Sequence, residues 1–239
     1  MDIGLQLFSV RDVTEQGLLE ALRRVAALGY THVEFAGFFG VSAADIKRVL
    51  AETGLRVSGT HTGIEELLNR FDETVAYHRA IGNTRIIIPG ADLSDQTKLN
   101  AFVRDAEALR LRLSGQGIAL GYHNHSHEFL PNADGSLIYE TLLAETRLQM
   151  ELDTYWAYAA GQEPLALMDR LRDRLPVIHL KDGSADGEGR PLGQGTAPVE
   201  PVYRKALAMG VDIVVESETL TPDGMSEAKA CIGFLAGLQ

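Results

Sequence analysis

Cysteine is almost absent from this 239-residue chain, with Cys231 the only one. A disulfide within the chain is therefore excluded, which fits a reducing compartment. Cys231 falls in a late helical pattern and reads as packing, not as a nucleophile. Long apolar runs are missing too: none approaches the ~20 residues needed to cross a bilayer. No N-terminal stretch combines a basic start, an apolar middle and a small-residue cleavage site. A cytoplasmic protein is the expectation. Positive charge is the scarcer sign, with 22 Lys and Arg against 33 Asp and Glu, a formal net charge of −11. A nucleic-acid binder needs a basic surface to displace counterions, and no block of consecutive basic residues occurs. Neither nucleic acid nor a polyanionic membrane surface is expected as a partner. Linkers and low-complexity segments are also lacking. The glycine-rich stretch "GEGRPLGQG" (187–195) has no GK[ST] ending and no GxGxxG spacing, so it is not a phosphate loop. It reads as a flexible loop able to close over a ligand. No nucleophile-elbow motif is present.

What the chain does have is a repeated pair of elements. Short runs rich in Val, Ile or Leu occur at 3–9, 32–36, 56–61, 85–90, 118–125, 148–153, 176–182 and 212–218, each bounded by Gly, Pro or polar residues. Helical spacing fills the intervals. Leu18, Leu22, Val25 and Leu28 share one face before Gly29, and "SAADIKRVLAETG" has Ser42 to cap it and Gly54 to stop it. Residues 95–114 form the longest such pattern. Strands alternating with helices imply a parallel sheet with helices outside. Eight units in a chain of this length predict a compact, closed (β/α)8 barrel as a single domain over residues 1–239. The competing fold is an open doubly wound sheet. It usually uses fewer strands and a Gly-rich first turn, which "LFSVRD" is not.

In such a barrel, functional side chains come from the C-terminal strand ends, and successive residues face opposite sides. In the seventh run Val177, His179 and Lys181 oppose Ile178 and Leu180. In the eighth, Val214, Glu216 and Glu218 oppose Ile213 and Val215. In the sixth, Glu151 and Asp153 oppose Met150 and Leu152. In the fifth, Gly121, His123 and His125 oppose Leu120 and Tyr122, and in the second His32 and Glu34 oppose Val33 and Phe35. Burying so many charges without partners costs several kcal/mol each. A divalent cation supplies a partner for several at once. Asp153, His179 and Glu216 offer two carboxylates and an imidazole, a mixed set that suits Mn, Mg, Co or Zn. Three of the seven histidines fall in "GYHNHSHEF" (121–129), so His123 and His125 enter the same cavity, and Glu128 can return from the loop. His61 ends the third run and is placed to touch substrate. His78 lies inside a helical pattern and reads as a surface residue without a role. His32 and Glu34 read either as a polar pair at the barrel bottom or, for Glu34, as a substrate contact.

"LQLFSVRD", "LGYTHVEFAG", "YHNHSHEF", "ELDTYWAYAAG", "HLKD" and "VVESE" together resemble the sugar phosphate isomerase/epimerase group, the xylose-isomerase-like TIM-barrel family, over nearly the whole chain. The resemblance implies one divalent metal, with manganese favoured, held by strand-end residues that match Asp153, His179 and Glu216. Gly121 or Tyr122 occupies the place of the family's usual fifth-strand glutamate, so the fourth ligand is Glu128 or a histidine of the pair His123 and His125. It also implies proton abstraction next to a carbonyl of a small sugar or keto-sugar, phosphorylated or not. His123, His125 and Glu216 are the proton-transfer candidates. Lys181 is placed either to bind a substrate oxygen or to pair with Glu151 or Glu218, and Tyr155 and Trp156 to wall the sugar. A lyase or dehydratase using the same carbanion is the alternative activity, and a barrel that only binds sugar is a third. A related branch cleaves abasic DNA with more metal ions, and the acidic charge and the shortage of further ligands count against it. So short a chain leaves little room for lid insertions, and closure is expected to be incomplete or completed by a neighbouring subunit.

Overall fold

The computed structural model describes residues 1–238. The first half runs β1 (Gly4–Gln6), α1 (Arg11–Ala27), β2 (His32–Phe35), α2 (Ala43–Thr53), β3 (Arg56–His61), α3 (Ile64–Asn69), α4 (Phe71–Ala80), β4 (Arg85–Ile88) and α5 (Gln96–Ser114). It continues through β5 (Ala119–His123), α6 (Ile138–Glu145), β6 (Gln149–Asp153), α7 (Thr154–Ala159), α8 (Pro164–Arg170) and β7 (Val177–Leu180). A short pair, β8 (Asp182–Gly183) and β9 (Gly189–Arg190), precedes α9 (Val199–Met209), β10 (Asp212–Val215) and α10 (Gly224–Ala236). All eight strand-like runs of the sequence enter one closed parallel barrel, in the order β1-β10-β7-β6-β5-β4-β3-β2. This is the (β/α)8 fold expected from the alternation.

Local chemistry sets the element ends. Ser42 Oγ accepts the Asp45 N–H at 3.1 Å and opens α2, and Gly54 ends it at φ 74°, where a Cβ would be strained. β1 is shorter than its apolar run because the Gln6 side chain accepts the Phe8 N–H at 3.1 Å and turns the chain into a 3-10 turn, Leu7–Val10. β10 stops at Val215, so Glu216 and Glu218 lie just past the strand.

Alternation partitions the strands as the pleat requires. Met150, Leu152, Ile178, Leu180, Ile213 and Val215 belong to the hydrophobic core under the helices. Their alternates, Glu151, Asp153, His179 and Val214, are buried outside that core, on the barrel's inner face. The N-terminal end of the barrel is closed by ion pairs: Arg56 to Asp2 at 2.8 Å and to Asp212 at 3.2 Å, and Arg85 to Asp212 at 3.1 Å. His32 joins this bottom layer, 3.4 Å from Asp2. Two glycines make the interior possible. A Cβ on Gly4 would lie 2.2 Å from the His32 ring, and one on Gly59 would lie 2.7 Å from Glu34 Oε1.

Two expectations need correction. His78 is buried, not at the surface, and its Nδ1 lies 3.1 Å from Thr60 Oγ1 and 2.9 Å from Asn83 Nδ2. The stretch 187–195 is fastened instead of loose. β8 and β9 pair antiparallel, and the buried Asp182 carboxylate accepts the N–H groups of Gly183 (2.8 Å), Gly193 (2.9 Å), Gly195 (2.9 Å) and Ala197 (3.2 Å). Among the described residues, no helix is long and apolar enough to cross a membrane.

Candidate metal centre

Four side chains converge at the C-terminal rim. His123 ends β5, Asp153 ends β6, His179 is the third residue of β7, and Glu216 follows β10. Register makes this possible: Asp153 pairs with His179, which pairs with Val214, two residues before Glu216. One donor atom from each of the four falls within 4.8 Å of the others.

Asp153 carries the test of whether a cation fits. Its Oδ1 accepts the Trp156 N–H at 2.8 Å and caps α7, but its Oδ2 is buried and has no hydrogen-bond partner among the described residues. Burial pushes the Asp153 carboxyl up to about 7, against the pull of the Lys181 ammonium, and the nearby Glu216 adds to the rise. A cation at Oδ2 would remove that penalty. Burial also opposes ionisation of Glu216, yet Lys181 and His179 outweigh it and hold that carboxyl well below the usual carboxylate range. Two carboxylates and two imidazoles form a donor set that fits a divalent ion.

Beneath this group lies a second polar tier that aims the imidazoles. Glu151 Oε1 accepts from His61 Nε2 at 2.8 Å, from His123 Nδ1 at 3.0 Å and from His179 Nε2 at 3.0 Å. Glu34 Oε2 accepts from His179 Nε2 at 2.6 Å and from Gln6 Nε2 at 2.9 Å. With these nitrogens engaged below, His179 presents Nδ1 upward, 3.3 Å from Glu216 Oε2, and His123 has Nε2 left for the cavity it lines. Carboxylates behind metal-binding histidines fix tautomer and ring orientation in this way. Burial opposes the charge on His179, but Glu151, Glu216 and Glu34 raise it well above its ordinary value. Burial likewise raises Glu34 to about 7, with Glu151 adding to the effect.

The remaining candidates fall in different places. Glu128 does not join the four-residue group. Tyr122 donates to its Oε1 at 2.9 Å and the His125 N–H to its Oε2 at 2.8 Å, so it folds the loop after β5, grouped with His125 and His127. Of the alternatives for a fourth donor, His123 is the one brought close. Glu34 sits below the rim, buried, touching His179 and not the cavity wall. Tyr155 is buried with its hydroxyl donating to Ser184 O at 3.2 Å, so it supports the β8 segment instead of walling the cavity. Trp156 stacks its ring 4.7 Å from Lys181 Nζ. Lys181 is buried and ion-paired to Glu218 and, at 3.5 Å, to Glu216. Above the cluster a cavity of about 390 Å³ is lined by Phe8, His61, His123, His125, Glu216 and Glu218, among others. Gln6, Phe8 and the supporting role of Glu151 were not foreseen. For Glu151 the signal was available, since it precedes Asp153 by two residues on the same face.

Fold and rim together define a (β/α)8 barrel with a buried cluster of carboxylates and imidazoles at its C-terminal end. The chain belongs to the xylose isomerase-like TIM barrel family, whose model matches residues 22–235. No curated protein matches it. Among solved structures, it is similar to a sugar phosphate isomerase/epimerase from Parabacteroides distasonis, at 24% identity and a TM-score of 0.86, over 98% of this chain and 97% of that one. A probable 3-DHS dehydratase from Bacillus anthracis superposes with a TM-score of 0.80 at 13% identity, covering 99% of both chains. An L-ribulose 3-epimerase gives a TM-score of 0.73 at 16% identity, over 100% of this chain and 94% of the other. At these identities the likeness is one of fold.

Proposed function

We propose that the protein is a divalent-metal-dependent isomerase or epimerase of a small sugar or keto-sugar. The observation that supports it is the convergence of Asp153, His179, Glu216 and His123 within 4.8 Å, with Asp153 Oδ2 buried and unpartnered. Those four residues would hold the ion, which supplies Lewis-acid polarisation of a substrate carbonyl and so acidifies the neighbouring C–H.

The chain's own groups then divide the proton work. His125 lines the cavity, and burial lowers its pKa, so a neutral imidazole stands ready to accept a proton at pH 7. His61 also lines the cavity. Its Nε2 lies on Glu151, which leaves Nδ1 to meet a substrate hydroxyl. Burial opposes charge on His61, but Glu34 and Glu151 raise its pKa, which makes it a donor. Lys181 keeps Glu216 ionised. Returning the proton to the opposite face of the same carbon gives epimerisation, and returning it to the adjacent carbon gives isomerisation.

The test is elemental analysis of the purified chain, followed by incubation with a panel of ketoses in D2O with added Mn²⁺. One bound ion per chain and deuterium next to the carbonyl, with sugar mass otherwise conserved, are expected. A product lighter by one water would instead support dehydration by the same carbanion chemistry. A metal-loaded protein that exchanges no hydrogen in any sugar would overturn the reading.

A further inference from the structure

Apart from the ion that the four rim residues would hold, the side-chain charge around the cavity bears on what kind of ligand it accepts. Two of its lining side chains, Glu216 and Glu218, are carboxylates, and among the described residues no Lys or Arg lines it. The cation nearest the cluster in sequence and space is already committed. The Lys181 ammonium pairs with Glu218 Oε2, lies 3.5 Å from Glu216 Oε2 and sits 4.7 Å over the Trp156 ring. Its side chain is only 1% exposed, whereas that of Glu218 is 31% exposed, so an incoming ligand meets the carboxylate first. Arg11, beside the same wall, is also engaged: its terminal nitrogens donate to Phe8 O at 3.0 Å and Glu218 O at 2.9 Å, and its guanidinium lies 4.4 Å over the Phe8 ring. Phe8 presents an apolar surface to the same space.

We propose that Glu218 is a specificity residue that masks Lys181 and closes the cavity to phosphate esters, so that its ligand is an uncharged polyhydroxylated ketone or aldehyde. This rests on the proposed sugar site and adds the charge of its ligand. A phosphate brought to Lys181 must displace Glu218 or sit beside it, and like charges at contact distance repel strongly where water is sparse. Hydroxyl groups meet no such barrier, since a carboxylate accepts their hydrogen bonds.

The experiment needs no turnover, so its failure is distinct from failure of the isomerase reading. Inorganic phosphate is titrated calorimetrically into the full-length wild type, Glu218→Gln, Glu218→Ala and the double variant Glu218→Gln/Lys181→Met. The two single variants remove the mask in different ways, and the partly exposed position of residue 218 keeps the fold safe. Freeing one charged donor is expected to tighten phosphate binding by about tenfold or more, and the double variant should lose that gain. Phosphate binding that is unchanged by both single variants, or a gain that survives loss of Lys181, overturns the proposal.

Discussion

His179 Nε2 lies 2.6 Å from Glu34 Oε2, although the two residues are 145 positions apart in the chain. This contact fixes which nitrogen of His179 faces the rim. Glu34 is in turn held by Gln6 and has room because residue 59 is glycine. Replacing Glu34 with Gln keeps the shape but offers a weaker acceptor and a competing donor to the imidazole. Metal affinity should fall by about 10- to 100-fold, the usual cost of losing such a supporting carboxylate. Competition against a chelator measures it directly. Unchanged affinity would reduce the Glu34 contact to packing.

Asp153 makes the metal-free protein sensitive to pH. Its carboxyl is 3.8 ordinarily and about 7 in the folded chain, mainly through burial. The folded state therefore binds the proton more tightly than the unfolded state. Stability from this group is fully present below 3.8 and is lost as pH rises through the interval to about 7, after which the loss is constant. Glu34, raised from 4.5 to about 7, acts with the same sign. Buried His32, His78 and His123, whose pKa values burial lowers, act with the opposite sign, so the Asp153 contribution is read as a difference. In urea unfolding of chelator-treated protein, the stability of the wild type minus that of Asp153→Asn should decline across that window, and saturating Mn²⁺ should stabilise the wild type at its upper end more than the variant.

Asp182 secures the segment that follows β7. Four backbone N–H groups end on its carboxylate, and a Cβ on Gly195 would lie 2.2 Å from its Oδ1. Removing the acceptor leaves these donors to water or to nothing. Asp182→Ala should cost about 2–3 kcal/mol and open residues 184–196 to protease. Limited proteolysis with mass mapping, compared with the melting temperature, separates local release from global loss. Cleavage at other loops first would contradict the role given to Asp182.

The sequence made the barrel legible because two periods, near 2 and near 3.6, alternate without interruption, and each period has one physical cause. Asp153, His179 and Glu216 were legible for the same reason, as polar members of an inward face next to a strand end. The supporting tier was not. Glu34, Glu151 and His179 meet through the stagger of a closed sheet, and pairings across strands are not encoded in spacing along one strand. Glu128 stands apart from the four-residue rim group because the Tyr122 hydroxyl and the His125 N–H capture it within its own loop, contacts that spacing along the chain does not encode. His78 was misread because α4 packs its polar residue against Thr60 and Asn83, where a helical pattern alone suggests solvent. The 187–195 stretch looked mobile from its glycines, yet two of them, Gly193 and Gly195, are where the backbone approaches Asp182.

His125 offers the sharpest separation of chemistry from metal binding. It lines the cavity, its ring stands 4.9 Å from that of His123, and it is not among the four residues of the rim group. Among the described residues its Nδ1 has no partner, so its removal breaks no hydrogen bond there. His125→Gln should therefore retain one divalent ion per chain and a melting temperature close to the wild type. Proton abstraction is a different matter: loss of a positioned general base costs roughly 10²- to 10⁴-fold in rate. Elemental analysis and the D2O exchange rate, run on the same preparation, give the two readouts. Exchange at the wild-type rate would move the base to another residue lining the cavity. Loss of the metal together with the rate would instead place His125 among the ligands.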